Sequence, residues 1–153
     1  MEQVSKRWTP EALMQLLSGV LDDGALVPLV VSGCSMAPFL AHGRDTVYLS
    51  RITTPVKRGD IVLYRRNNGD LVLHRVCCLK EDGYCMAGDA HEILESGIHA
   101  DQLLAVTTAV LRKGKLLTRK SWTWKFYEKI WLLVIPWRKK LLTCYASFAR
   151  KRR

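Results

Sequence analysis

The sequence predicts a mainly β fold, a coiled barrel or sandwich, with a helix before it and a basic amphipathic helical segment after it. Three observations predict this: a helical apolar repeat near the start, short β-branched runs between turn residues, and a final stretch rich in Lys, Arg and Trp. A chain of 153 residues suits one domain with an appendage. We therefore divide it into an N-terminal helix (1–25), a β domain (26–112) and a basic aromatic tail (113–153).

The N-terminal helix has a start signal and a stop signal. Thr9 suits the N-cap, Pro10 and Glu11 suit the first turn, and Gly24 suits the end. Between them, apolar residues recur at helical spacing, namely Leu13, Leu16, Leu17, Val20 and Leu21. The pattern predicts a helix that packs one face on the core.

The middle of the chain holds six short apolar runs with strand composition. Asn67–Gly69 separates two of them, and Asn-Gly favours a type I′ hairpin turn because it tolerates positive φ. Short strands joined by turns are typical of a compact sandwich or barrel. The predicted strands are 26–31, 46–49, 61–65, 71–78, 84–87 and 103–111.

The net charge of +10 is concentrated in the tail. Residues 112–153 hold 14 Lys or Arg and a single acid, Glu128, which gives +13, whereas residues 1–111 hold 10 Lys or Arg and 13 acids, which gives −3. Only the tail therefore has the excess positive charge that would favour a polyanionic partner. Chemistry in the β domain does not depend on this excess charge.

Three interpretations fit the tail, which we expect to be broken at Pro136 and to form a second short helix ending at 150–153. It is an interfacial membrane helix with Trp122, Trp124 and Trp131 as anchors, a nucleic-acid patch, or a helix pair that covers the β domain. The apolar block 130–135 argues against a nucleic-acid surface.

Cysteine usage and apolar run lengths predict a cytoplasmic protein, peripheral at the inner membrane surface if the tail binds lipid. No secretory signal is evident, no apolar run approaches the ~18 residues that span a bilayer, and five cysteines are an odd number. The spacing of Cys85, His91 and His99 is not that of a metal site, so we expect neither metal nor cofactor.

Ser35, His74 and Asp89 have the chemistry of a nucleophile, a general base and its orienting acid. Ser35 follows a predicted strand in a Gly-bearing turn, whose N–H groups can face a developing oxyanion. Alternation places His74 on the apolar face of its strand, where it should be neutral. Asp89 could hold the imidazole. Cys34 is expected to be buried and inert.

These residues lie in three of four segments that resemble the signal peptidase I and LexA-like serine peptidase superfamily. VSGCSMAPFL resembles the nucleophile box, RGDIVLYR the strand after it, LVLHRV the general-base box, and MAGDAHEILE the closing Gly-Asp box. The four segments occur in the family's order across residues 30–95. The resemblance implies a signal peptidase/LexA-like fold for about the middle half of the chain.

Histidine at the base position resembles the archaeal and endoplasmic-reticulum type of signal peptidase, where other branches carry lysine. That branch implies Ser35 as nucleophile, His74 as base and Asp89 as orienter, with Glu95 near the place of a further acid. The same resemblance implies that four residues of the nucleophile box shape the substrate turn and the oxyanion site, namely Gly33, Cys34, Met36 and Pro38.

Three departures narrow the function. Gly33 stands where many members carry an oxyanion-binding Ser, which leaves backbone N–H groups, chiefly that of Ser35, and loosely Ser32. Phe39 follows Pro38 where Thr is common. We expect neither a membrane anchor nor a helix-turn-helix domain, which argues against secretory preprotein processing and against a DNA-binding repressor.

The sequence therefore predicts a serine endopeptidase that cleaves a leader- or signal-like peptide from a precursor protein. The leader of a modified small peptide or of a metalloenzyme precursor would suit a cytoplasmic site. The alternative is a non-catalytic peptide- or membrane-binding module on the same fold. A nucleic-acid partner rests on charge alone.

Overall fold

The computed structural model describes residues 10–138, Lys140 and Thr143. The predicted N-cap Thr9 and most of the predicted second helix of the tail lie outside the described residues. Helix α1 covers Pro10–Asp22 and buries a leucine face against the sheet. It ends where Gly24, with a φ of +75°, donates its N–H to the carbonyl oxygen of Leu21. The predicted N-terminal helix is therefore confirmed.

Within residues 10–138, eight strands form one open antiparallel sheet, which confirms the mainly β prediction. From one edge to the other the order is β1-β2-β7-β3-β4-β5-β6, and β8 pairs with the end of β7. The sequence predicts neither β6 nor β8, because each has only four residues and little β-branched character. The strands are β1 (Val27–Val30), β2 (Thr46–Ser50), β3 (Ile61–Arg65), β4 (Leu71–Lys80), β5 (Gly83–Ala87), β6 (Glu95–Ile98), β7 (Leu103–Arg112) and β8 (Lys115–Thr118).

The predicted hairpin joins β3 to β4, but its turn is not type I′. Gly69 donates its N–H to the carbonyl oxygen of Arg66 at 2.9 Å, and Arg66 donates to that of Asp70 at 2.9 Å. Only Gly69 in this turn takes positive φ (+91°), whereas type I′ needs it at two central residues. The arrangement is that of a three-residue hairpin loop whose last residue is left-handed.

Strand β3 lies between two apolar clusters. Ile61 and Leu63 enter the larger cluster, which α1 covers, whereas Val62 and Tyr64 enter a second cluster on the opposite face. All four side chains are buried, as expected for a central strand whose faces are both covered. The second cluster borders the site described below, since β3 pairs Val62 with His74 of β4.

The tail continues into consecutive helical turns at residues 122–138, which we call the C-terminal helical segment. It comprises α2 (Trp122–Lys125), a π turn (Phe126–Ile130), α3 (Trp131–Leu133) and a 3₁₀ turn (Ile135–Trp137). Trp124 is fully buried and meets the ring of Phe39 edge-on at 5.8 Å. Among the described residues, no helix has the length and apolar character to cross a bilayer.

Candidate active site

Ser35 lies in the loop that follows β1, at the end of the sheet. Its carbonyl oxygen accepts the N–H of Ala90 at 2.8 Å, which ties the loop to the segment after β5. Gly33, with a φ of +86°, donates its N–H to Nδ1 of His42 at 3.0 Å. The loop therefore holds a half-buried Ser35 next to the segment that carries Gly88 and Asp89.

Gly88 lies between the Ser35 loop and His74. A Cβ added at Gly88 would overlap the carbonyl oxygen of Ser35 and would lie 3.1 Å from Nε2 of His74. Both atoms therefore border the same small space, and only glycine leaves it open. In the described part of the chain Ser35 Oγ makes no hydrogen bond to His74, so the two are neighbours without being joined.

His74 is buried in β4 and turns its Nδ1 away from Ser35, toward an acid. Nδ1 lies 3.2 Å from the hydroxyl oxygen of Tyr64 and 3.5 Å from Oε1 of Glu95. The Tyr64 hydroxyl donates to Oε2 of Glu95 at 2.9 Å. Because that hydroxyl has a single proton, its oxygen can only accept from Nδ1–H. The neutral imidazole therefore carries its proton on Nδ1, which leaves Nε2 unprotonated on the side of Gly88.

Burial keeps His74 neutral, and hydrogen bonds from Arg66 keep Glu95 charged. Burial lowers the pKa of His74 to about 4, although the nearby Glu95 carboxylate opposes that shift. Hydrogen bonds from Arg66 lower the pKa of Glu95. Burial, together with the hydrogen bond to Glu95, raises the pKa of Tyr64. At neutral pH the site therefore holds a neutral imidazole, a neutral phenol and a charged carboxylate.

Arg66 fixes Glu95 from the solvent side. Its Nε donates to Oε2 at 2.8 Å, and its Nη2 donates to Oε1 in a close ion pair. Arg66 lies in the β3–β4 turn and Glu95 opens β6, so the pair joins two distant parts of the chain. A bidentate guanidinium contact sets the plane of the Glu95 carboxylate. This plane sets how the carboxylate faces Nδ1 of His74.

Asp89 does not orient His74, contrary to the sequence prediction. Both its oxygens accept from Arg75, at 2.9 Å from Nε and 2.8 Å from Nη2, and both side chains are fully buried. Arg75 follows His74 in β4, so its side chain lies on the other face of the strand, and Asp89 lies on that face. The acid beside His74 is Glu95, the further acid of the sequence prediction.

The remaining residues of the nucleophile box take different environments. Met36 is buried in the larger cluster, Pro38 is half-buried, and Gly33 and Cys34 are exposed. The expectation that Cys34 is buried is therefore wrong. Its exposure follows from its place in an outward loop, where only Met36 and the residues after it reach the core.

Two of the three predicted membrane anchors are buried in the protein. Trp124 packs on Phe39, and Trp131 donates its Nε1–H to the carbonyl oxygen of Asp89 at 2.9 Å. Neither ring is available to a lipid, because each fills space against the β domain. Trp122 is exposed. For the described part of the tail, the interpretation as a cover on the β domain matches the structure.

Comparison with known proteins identified no similar protein. No family model, curated protein or solved structure matches the chain. The geometry of the site is therefore the ground for a functional proposal.

Sequence reasoning missed Tyr64 and Arg66, although one signal pointed to the first. Residues two apart in a strand share a face, so Tyr64 shares the face of Val62, and Val62 pairs with His74. A strand alignment built from the hairpin could have placed the phenol near the imidazole. Arg66 lies outside the strand, and nothing local indicates its partner.

Proposed function

We propose that this protein is a serine endopeptidase with a signal peptidase/LexA-like fold, which cleaves a leader- or signal-like peptide from a precursor protein. The observation that carries the proposal is the hydrogen-bond chain from Glu95 through Tyr64 to His74. Tyr64 and Glu95 hold the proton on Nδ1, and the free Nε2 borders the space next to Ser35. That is the arrangement a general base needs.

In the proposed reaction, His74 Nε2 removes the hydroxyl proton of Ser35 as Oγ bonds to the scissile carbonyl carbon. Backbone N–H groups of the nucleophile loop, chiefly that of Ser35, bind the oxyanion. The imidazolium then gives its proton to the leaving amine as the C–N bond breaks, which leaves an acyl-enzyme. Water, activated by the same Nε2, releases the acid and restores Ser35. Glu95 stabilises the transient imidazolium through its negative charge.

The proposed reaction requires Ser35 Oγ to come within hydrogen-bond reach of His74 Nε2 when substrate binds. Catalytic hydrogen bonds are often long or unformed without substrate. The unjoined pair also gives a specific reason for the second candidate, a non-catalytic peptide- or membrane-binding module. In that case Ser35 never meets the base, and the His74 network is structural.

Cleavage of a diverse synthetic peptide library, followed by mass spectrometry, separates the two candidates. We expect the wild type to generate new termini, and Ser35→Ala and His74→Ala each to abolish them. Ser18→Ala in α1 and His99→Ala elsewhere on the surface are matched controls, since both residues are exposed. Cleavage that survives Ser35→Ala would exclude the serine mechanism, and a wild type without any cleavage would favour the binding module.

The proposed setting is the cytoplasm, peripheral at the inner membrane surface. The substrate is then a cytoplasmic precursor, for which the leader of a modified small peptide or of a metalloenzyme is a suitable class. Neither a cofactor nor a nucleic acid takes part in the proposed reaction. The C-terminal helical segment packs on the β domain with its buried tryptophans, so contact with a membrane requires other residues.

A further inference from the structure

The outer face of the C-terminal helical segment carries an apolar stripe. Ile130, Leu133 and Trp137 are 52%, 68% and 60% exposed, on a segment that buries other side chains against the β domain. The opposite face holds the buried residues Trp131 and Leu132. Solvent exposure of three large apolar side chains close together in the chain is unusual for a surface without a partner.

Positive charge lies at both ends of this stripe. Lys129 and Lys140 are exposed at its two ends, and Nζ of Lys140 lies 5.3 Å from the centre of the Trp137 ring. Residues 129–153 carry eight Lys or Arg and no Asp or Glu. Apolar side chains flanked by Trp and Lys match the boundary between acyl chains and anionic headgroups.

The segment that carries the apolar stripe is hydrogen-bonded to the proposed active site. On the inner face, Arg138 is fully buried and donates from Nη1 to the carbonyl oxygens of Gly88, at 2.9 Å, and His91, at 3.1 Å. Nε1 of Trp131 donates to the carbonyl oxygen of Asp89, which lies between Gly88 and His91 along the chain. The segment that borders His74 is therefore hydrogen-bonded to the inner face of the same turns whose outer face carries the stripe.

We propose that Ile130, Leu133 and Trp137 dock the protein on an anionic lipid surface. Docking by this face holds the Ser35–His74 site beside the headgroups, so a precursor whose leader lies on the membrane surface is the substrate class it favours. The orientation of the site rests on the proposed peptidase function, but the lipid contact does not. The contacting residues differ from the tryptophans that the sequence indicated, because tertiary packing buries two of those.

Co-sedimentation of the full chain with lipid vesicles tests the proposal. The vesicles contain equal parts of phosphatidylglycerol and phosphatidylcholine, with pure phosphatidylcholine for comparison. We expect the wild type to bind the anionic vesicles more tightly and to lose affinity as salt rises. Replacing Ile130, Leu133 and Trp137 together by Ser should lower the partition coefficient at least about tenfold, since each side chain contributes buried apolar area.

A matched triple variant replaces Leu26, Leu79 and Leu116 by Ser. These leucines are 51%, 66% and 61% exposed and lie outside the C-terminal helical segment, so this variant should bind vesicles like the wild type. Thermal unfolding checks that both variants fold, and Trp137→Ser alone should weaken binding in the same direction if the triple variant does not fold.

Several results would overturn the docking proposal. The first is a wild type that does not bind anionic vesicles. The second is a stripe variant that binds as well as the wild type, and the third is an equal loss of vesicle binding in the matched variant. A wild-type dimer that the stripe variant converts to monomer, with vesicle binding unchanged, would assign the face to a second copy instead. Ser35→Ala should bind vesicles normally, and the stripe variant should still cleave soluble peptides. These two measurements separate failure of docking from failure of the peptidase proposal.

Discussion

Replacing Glu95 by Gln should reverse the hydrogen-bond chain that sets the proton position on His74. In the wild type the carboxylate can only accept, so the proton of Tyr64 points to Glu95 and the phenol oxygen accepts Nδ1–H. An amide in the same place can donate to the phenol oxygen, and the phenol can then donate to Nδ1. The imidazole would carry its proton on Nε2 and could not accept one from Ser35.

The size of the effect follows from charge and distance. Oε1 of Glu95 lies 3.5 Å from Nδ1 of His74, and unit charges at that separation attract by about 5 kcal/mol at an effective dielectric constant of about 20. Glu95 is 27% exposed and shares its charge with Arg66, so screening reduces this value. We expect the transition state to lose about 2 to 4 kcal/mol, which is a drop of about 30- to 1,000-fold in kcat/KM.

The assay is the rate of cleavage of the best library peptide as a function of pH. Glu95 raises the pKa of His74, whose value is about 4 because of burial, so removing the carboxylate should move the acidic limb of kcat/KM to lower pH. Glu81→Gln is the matched control, since Glu81 is exposed in the β4–β5 turn. A Glu95→Gln variant within threefold of the Glu81→Gln rate, with an unmoved acidic limb, would refute the role of Glu95.

Three further predictions concern stability and the approach of the loops. Because burial lowers the pKa of His74 to about 4, the unfolded chain binds a proton first as pH falls, so about 3 kcal/mol should be lost between about pH 6.5 and pH 4. Urea unfolding should show this loss in the wild type, and His74→Gln should lack it. Gly88→Ala should lower cleavage at least about tenfold through overlap with the nucleophile loop, whereas Gly19→Ala, with open space around it, should not. Asp89→Asn should cost about 3 to 5 kcal/mol of unfolding free energy by leaving the charge of Arg75 buried without an opposing charge, and a cost under 1 kcal/mol would contradict that pairing.

Local sequence patterns were sufficient for α1 and for most of the sheet. The leucine repeat and Gly24 define the helix, because side chains three and four apart share a face and a glycine takes the left-handed end. The β-branched runs define six strands, but β6 and β8 are too short and too polar to carry such a pattern. The predicted type I′ turn between β3 and β4 was wrong because the pairing of the flanking strands decides the turn type. The Asn-Gly sequence is compatible with more than one type of turn.

The acid of the site shows where local patterns stop being informative. Asp89 follows Gly88, next to the nucleophile loop, and its position along the chain made it the expected partner of His74. In the fold it faces Arg75, one residue further along β4 and on the opposite side of the strand. Glu95 reaches His74 only because β6 pairs with β5 and because Arg66 from a distant turn holds its carboxylate.

The sequence by itself determined the mainly β class, the proposed nucleophile and base, and the separation of a +13 tail from a −3 body. Those features depend on residue type, on spacing along the chain and, for the nucleophile and base, on the resemblance of four segments to a known family, all of which a linear chain already contains. Tertiary structure alone decided which acid faces His74, which nitrogen of His74 holds the proton, and which tail residues remain exposed. Each of these depends on side chains from different strands or helices meeting at one place, and contacts between distant segments exist only after the sheet has formed.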